Sequence, residues 1–213
     1  MDKVAAVGKK SDMKRPTLFG MRTPWVRVAK LIFALFLVVY GIFLAISPET
    51  YRFLDRVDLV FHEAGHWIFR AFGPTLTVLG GTLMQLLIPS LVACYFLLHR
   101  SFYSASVVLF WLGQSFFNVS VYARDARAMA LPLLGGGGHD WNRLLSQAGL
   151  LAQDQAVANA FFGVGLAFLI LSMAGSLYFS FFDRPPWKRP PPLPPPDGIQ
   201  VLFPDPPLPS THP

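Results

Sequence analysis

Four stretches of this 213-residue chain carry no Asp, Glu, Lys or Arg and approach or exceed the roughly 20 apolar residues that a bilayer crossing takes. They are Leu31 to Pro48, Ala71 to Leu98, Ser101 to Ala123 and Gln155 to Phe182. Hydrocarbon offers nothing to bond exposed peptide groups, so segments of this kind are helices that close their own hydrogen bonds. The expected fold class is therefore all-α: a multi-pass membrane helical bundle of about four transmembrane helices. Composition agrees, since only 14% of residues are charged where a soluble domain carries about a quarter.

Charge sets the expected orientation. Residues 1–30 hold eight Lys/Arg against Asp2 and Asp12, and the remaining residues balance ten basic against ten acidic. A basic arm before a long apolar run reads as cytoplasmic, and Arg184, Lys188 and Arg189 after the last stretch favour the same side. Both termini in the cytoplasm require an even number of crossings, which four satisfies; in a bacterium this is the inner membrane. Leu31 to Pro48 is too long for a signal-peptide core and no A-x-A pattern follows, so it reads as a retained anchor. The arm has no folded context for reading bases, so nucleic acid is not an expected partner; membrane lipids are. Three regions follow: a basic arm over 1–30, a membrane domain over 31–182, and a proline-rich tail over 183–213. That tail holds 13 of the 19 prolines and reads as polyproline-like, a spacer or a docking segment for a partner's aromatic groove. A single cysteine, Cys94, excludes an internal disulfide.

Between the first two stretches lies FHEAGHWIF, residues 61–69. Bounded by Asp58 and Arg70, it is too short to span and reads as an interfacial or re-entrant helix. On a helix, His62 and His66 share one face and aim two imidazoles at one point, as a divalent metal requires. Glu63 stands beside that point, placed to take a proton from water rather than to bind the metal. Zn²⁺ is the expected cofactor, because it suits imidazole. The plainer alternative is a polar face turned to lipid headgroups.

A catalytic zinc takes a third protein ligand. His139 and Asp140 follow the glycine run Gly135 to Gly138, in a loop that a four-span count places on the same face of the membrane as HEAGH. Asp140 has an ordinary alternative as N-cap of the amphipathic stretch WNRLLSQAGLL, which favours His139 slightly as ligand; both remain candidates. His99 and His212 are set aside, one beside Arg100 in a short loop and one in the tail. Asn118, near the outer end of the third stretch, is a candidate to bond a substrate backbone or an oxyanion, or else a neighbouring helix. Gln85 and Gln114 read as interhelical glue, Gly80-Gly81 and Pro89 as close packing or a kink, and Arg124, Asp125 and Arg127 as a self-paired cluster.

With HEAGH in a membrane helix and an aspartate from a distant segment, the chain resembles the site-two-protease-like family of integral membrane zinc metallopeptidases. His62, Glu63 and His66 follow that family's pattern; Asn118 and Asp140 match it loosely, with Gly-His-Asp-Trp standing where the family has Leu-Asp-Gly. The resemblance implies a zinc peptidase acting on a membrane-protein or peptide substrate at or within the bilayer. Two other readings stay open: a non-enzymatic membrane adaptor or assembly protein, and a metal-binding membrane protein without hydrolysis.

Overall fold

A computed structural model describes residues 24–132 and 138–182. The first 23 residues of the basic arm, the proline-rich tail with His212, and Gly135 to Gly137 lie outside the described residues. Six α-helices follow one another: α1 (Pro24–Ile46), α2 (Phe53–Phe69), α3 (Pro74–Leu98), α4 (Phe102–Arg124), α5 (Asp140–Gln147) and α6 (Asp154–Phe182). No strand occurs among the described residues. The all-α multi-pass bundle is thus observed, with four helices long and apolar enough to cross a membrane: α1, α3, α4 and α6.

Helix α1 begins inside the expected arm, at Pro24, so Arg27 and Lys30 are helical. Long basic side chains tolerate this because their charge reaches past the apolar stem; the Lys30 ammonium lies 4.4 Å from the centre of the Tyr103 ring. Tyr103 Oη also donates to Lys30 O at 2.8 Å, and Phe102 stacks on Phe179. These contacts collect the start of α1, the start of α4 and the end of α6 at one end of the bundle. At the other end, Arg127 Nε donates to Asp154 Oδ2 at 2.7 Å, and Arg124 donates to Gln155 and Asn159. The expected self-pairing of Arg124, Asp125 and Arg127 does not occur, because α6 begins alongside and offers nearer acceptors.

Small residues decide how α4 and α6 meet. Ala158, Gly165, Leu169, Ser172, Ser176 and Ser180 recur at spacings of three, four or seven residues and form the buried stripe of α6. Gly113 and Gly165 face each other so closely that a Cβ on either would come within 2.9 Å of the other's carbonyl oxygen. Lipid tails give no hydrophobic drive for two apolar helices to associate, so such backbone proximity and its dispersion contacts hold the pair. Phe110, Phe117 and Leu169 fill the centre, joined by Leu37 and Leu44 of α1.

Helix α2 differs from its expected form. It starts at Phe53, well before Asp58, and runs 17 residues. At 1.5 Å per residue that is about 25 Å, still short of a 30 Å hydrocarbon core. Its start is set by Asp55, whose Oδ2 accepts from Arg52 N at 2.6 Å. The Arg52 guanidinium donates back to Phe43 O and Ser47 O, closing the end of α1 with a cation where the helix dipole favours one. Gly73, at φ 98°, then turns the chain into Pro74, which fills the first position of α3.

Candidate metal centre

Asp55, Asp58, His62 and Gly65 recur every three or four residues and form the buried face of α2, while Val60, Trp67 and Ile68 lie exposed on the other side. This face meets α3 where Gly65 lies against Gly80 and where Gly81 lies against the two histidines. A Cβ on Gly65 would collide with the Gly80 carbonyl, and one on Gly81 would come within 2.7 Å of His62 Nε2 and 2.8 Å of His66 Cε1. The Gly80-Gly81 pair read from the sequence as close packing therefore does more: the missing side chain at 81 is the space in which both imidazoles lie.

Asp140 reaches that space from α5. Its Oδ2 lies 3.0 Å from His62 Nε2 and 3.2 Å from His66 Nε2. One donor atom from each of the three residues falls within 4.8 Å of the others. Two donors on one tetrahedral zinc ion with bonds of about 2.0–2.1 Å stand about 3.3 Å apart, so the set suits such an ion in chemistry and in the two separations from Asp140. The His66 tautomer suits it too. Nδ1 lies 2.8 Å from Thr77 O, an acceptor only, so Nδ1 carries a proton and Nε2 is the nitrogen left to face a metal.

His139 is placed elsewhere. Its side chain is buried, its Nε2 lies 3.2 Å from Asp125 Oδ2, and its Nδ1 accepts from Asn142 N at 3.2 Å. The capping role expected of Asp140 falls to His139, and the juxtaposition with His62 and His66 expected first of His139 falls to Asp140. The reason is register. As the residue before α5, His139 folds its ring back over the first turn, and Asp140, the first helical residue, projects across to α2. Trp141 and Leu145 hold α5 down, packed with Val119, Ala123, Ala126 and Ala158.

Below the histidines, α2 and α4 share a polar network. Asp55 Oδ1 accepts from Gln114 Nε2 at 2.8 Å and from Asn118 Nδ2 at 3.0 Å, and Gln85 Nε2 donates to Asn118 Oδ1 at 2.8 Å. Gln85 and Gln114 do bridge helices, and Asn118 is bonded to α2 and α3 while lining the cleft described below. Asp58 Oδ1 accepts from Trp111 Nε1 and Ser115 Oγ, whereas Oδ2 is buried without a partner. Burial pushes the Asp58 carboxyl up to about 7, against the pull of those two hydrogen bonds. The folded chain then holds a proton that the unfolded chain releases, so stability present at low pH is lost as pH rises from about 4 to about 7. Asp58→Asn keeps the Oδ1 acceptor and cannot titrate. Thermal unfolding in detergent is expected to show a wild-type decline across that window that the variant lacks; parallel profiles would refute it.

His62, Glu63, His66 and Asp140 open together on a cleft of about 790 Å³, with Asn118 and Tyr122 on its walls. That is within the range of sites that enclose a ligand. Glu63, one residue past His62, is exposed to it. Asp55 and Asp58 continue the histidine face at helical spacing, the signal that points to them, although Asp58 reads in the sequence as the helix boundary. Thr77 and Tyr122 carry no such signal, because a backbone carbonyl and a hydroxyl acceptor leave no motif. Among known proteins, no family model, curated sequence or solved structure matches the chain.

Proposed function

We propose that this chain is a zinc-dependent membrane hydrolase, a metallopeptidase acting at or within the bilayer, with both termini on the cytoplasmic side. The single observation that carries this reading is the meeting of His62, His66 and Asp140 across α2 and α5, with Glu63 opening on the same cleft. The resemblance of HEAGH to site-two-protease-like peptidases supports it.

His62, His66 and Asp140 would hold the ion. Zinc in such a set supplies Lewis acidity toward a carbonyl and lowers the pKa of water from 15.7 to about 7. The chain's own residues do the rest. Glu63 takes a proton from the attacking water as its oxygen adds to the scissile carbonyl carbon, then delivers that proton to the leaving nitrogen as the C–N bond breaks. Thr77 holds the His66 ring through Nδ1, and Asn118 offers an amide to the substrate backbone at the cleft wall. Apolar surroundings strengthen each of these polar interactions by excluding water.

Metal analysis of the detergent-solubilised protein tests the reading. About one zinc per chain is expected, lost in the His62→Ala, His66→Ala double variant. A wild type purified without zinc would end it.

A further inference from the structure

Tyr122 stands near the end of α4, where its one side chain touches both halves of the candidate centre. Its Oη accepts from Asp140 N at 3.0 Å. Its ring packs on His139, centroids 4.4 Å apart, and meets His62 edge-on at 5.9 Å. The histidines come from α2 and the carboxylate from a segment 78 positions later, so nothing local to either sets their spacing. We propose that Tyr122 is the positioning residue of the metal centre, its hydroxyl fastening the Asp140 backbone while its ring seats His62. This rests on the zinc reading above.

The hydroxyl has a task that the fold does not need. α5 is already docked by Trp141 and Leu145 in the core, by Asn142 Nδ2 donating to Ala126 O at 2.8 Å, and by the contact of His139 with Asp125. None of these restrains the first-turn amide of Asp140, which has no acceptor within its own helix. The bond to Tyr122 does. It fixes where the Asp140 Cα sits relative to α4, and so where the carboxylate arrives between the imidazoles.

Tyr122→Phe removes the hydroxyl and keeps the ring. Zinc affinity, measured by chelator competition on the full chain in detergent, is expected to fall about 10–100-fold, the usual effect of losing a group that orients a ligand. The unfolding midpoint of the chelator-treated protein should stay at the wild-type value. In an Asp140→Ala background, Tyr122→Phe should add no further loss, because the hydroxyl acts through that residue. An unchanged affinity overturns the proposal. So does an equal loss with Asp140 removed, a metal-free midpoint that falls with the affinity, or a variant that fails to accumulate, each of which makes Tyr122 merely structural. A zinc-free wild type, read from the same preparation, would instead sink the zinc reading and this proposal with it.

Discussion

Glu63→Gln is expected to purify with its zinc in place and to hydrolyse peptide about 10²–10⁴-fold more slowly than the wild type, the range that a positioned proton-transfer group supplies. Glutamine has nearly the shape of glutamate and stays exposed to the cleft, but it cannot accept and return a proton. His62, His66 and Asp140 are untouched, and Glu63 is not among the three residues whose donor atoms converge. The expected signature is therefore a split: full metal content, lost turnover. Cleavage of quenched fluorescent peptides in detergent micelles, beside zinc analysis of the same samples, measures both. Turnover at the wild-type rate would remove Glu63 from the chemistry. A cellular role that survives Glu63→Gln would turn the reading toward an adaptor or a metal-handling protein, in which zinc is held and no bond is broken.

The legible part of this chain is what lipid imposes. Uncharged runs long enough to cross a bilayer fix the helices to within three residues, except that α1 starts seven residues early, and an even number of crossings places residues 62–66 and 139–140 at one end of the bundle; α3 begins and α4 ends there. The pair of histidines and the glutamate were legible for the same reason, being costly in so apolar a context. Asp58 misled. Read as the boundary of a short polar helix, it lies inside it together with Asp55, because Gln114, Asn118, Trp111 and Ser115 on α4 supply the hydrogen bonds that make their burial tolerable. Gln114 and Asn118 stand out in the sequence as candidates to bond a neighbouring helix and Trp111 and Ser115 do not, but nothing local pairs any of the four with α2. The choice between His139 and Asp140, open in the sequence with a slight preference for His139, depends on tertiary contacts in the same way. Capping preference favours Asp over His before a helix, but here Asp125 and the Tyr122 ring hold His139 in the capping position. Tertiary partners overrode a local propensity of about 1 kcal/mol. Gly81 was visible as half of a glycine pair, but its purpose depends on two imidazoles from another helix.

Asp140→Ala and His139→Ala separate the adjacent residues that the sequence could not. Asp140 Oδ2 is the atom between the two imidazoles, so Asp140→Ala removes one of three donors and should weaken zinc binding by more than the 10–100-fold that loss of a supporting residue brings. His139→Ala leaves all three donors in place. It deletes the contact with Asp125 and the cap on Asn142 N, which together cost about 1–3 kcal/mol of stability. Its effect on zinc should be indirect and no larger than about 10–100-fold. The readouts therefore cross: Asp140→Ala loses metal and keeps its metal-free unfolding midpoint, and His139→Ala loses stability and keeps most of its metal. Removing Asp140 relieves the metal-free protein of a half-buried carboxylate and also takes away its contacts with the His62 and His66 imidazoles, two opposed effects that leave that midpoint close to the wild-type value. The reverse pattern, with zinc lost on His139→Ala and retained on Asp140→Ala, would require the first turn of α5 to rotate and bring His139 to the ion. Chelator competition and thermal unfolding on the two variants decide between these arrangements.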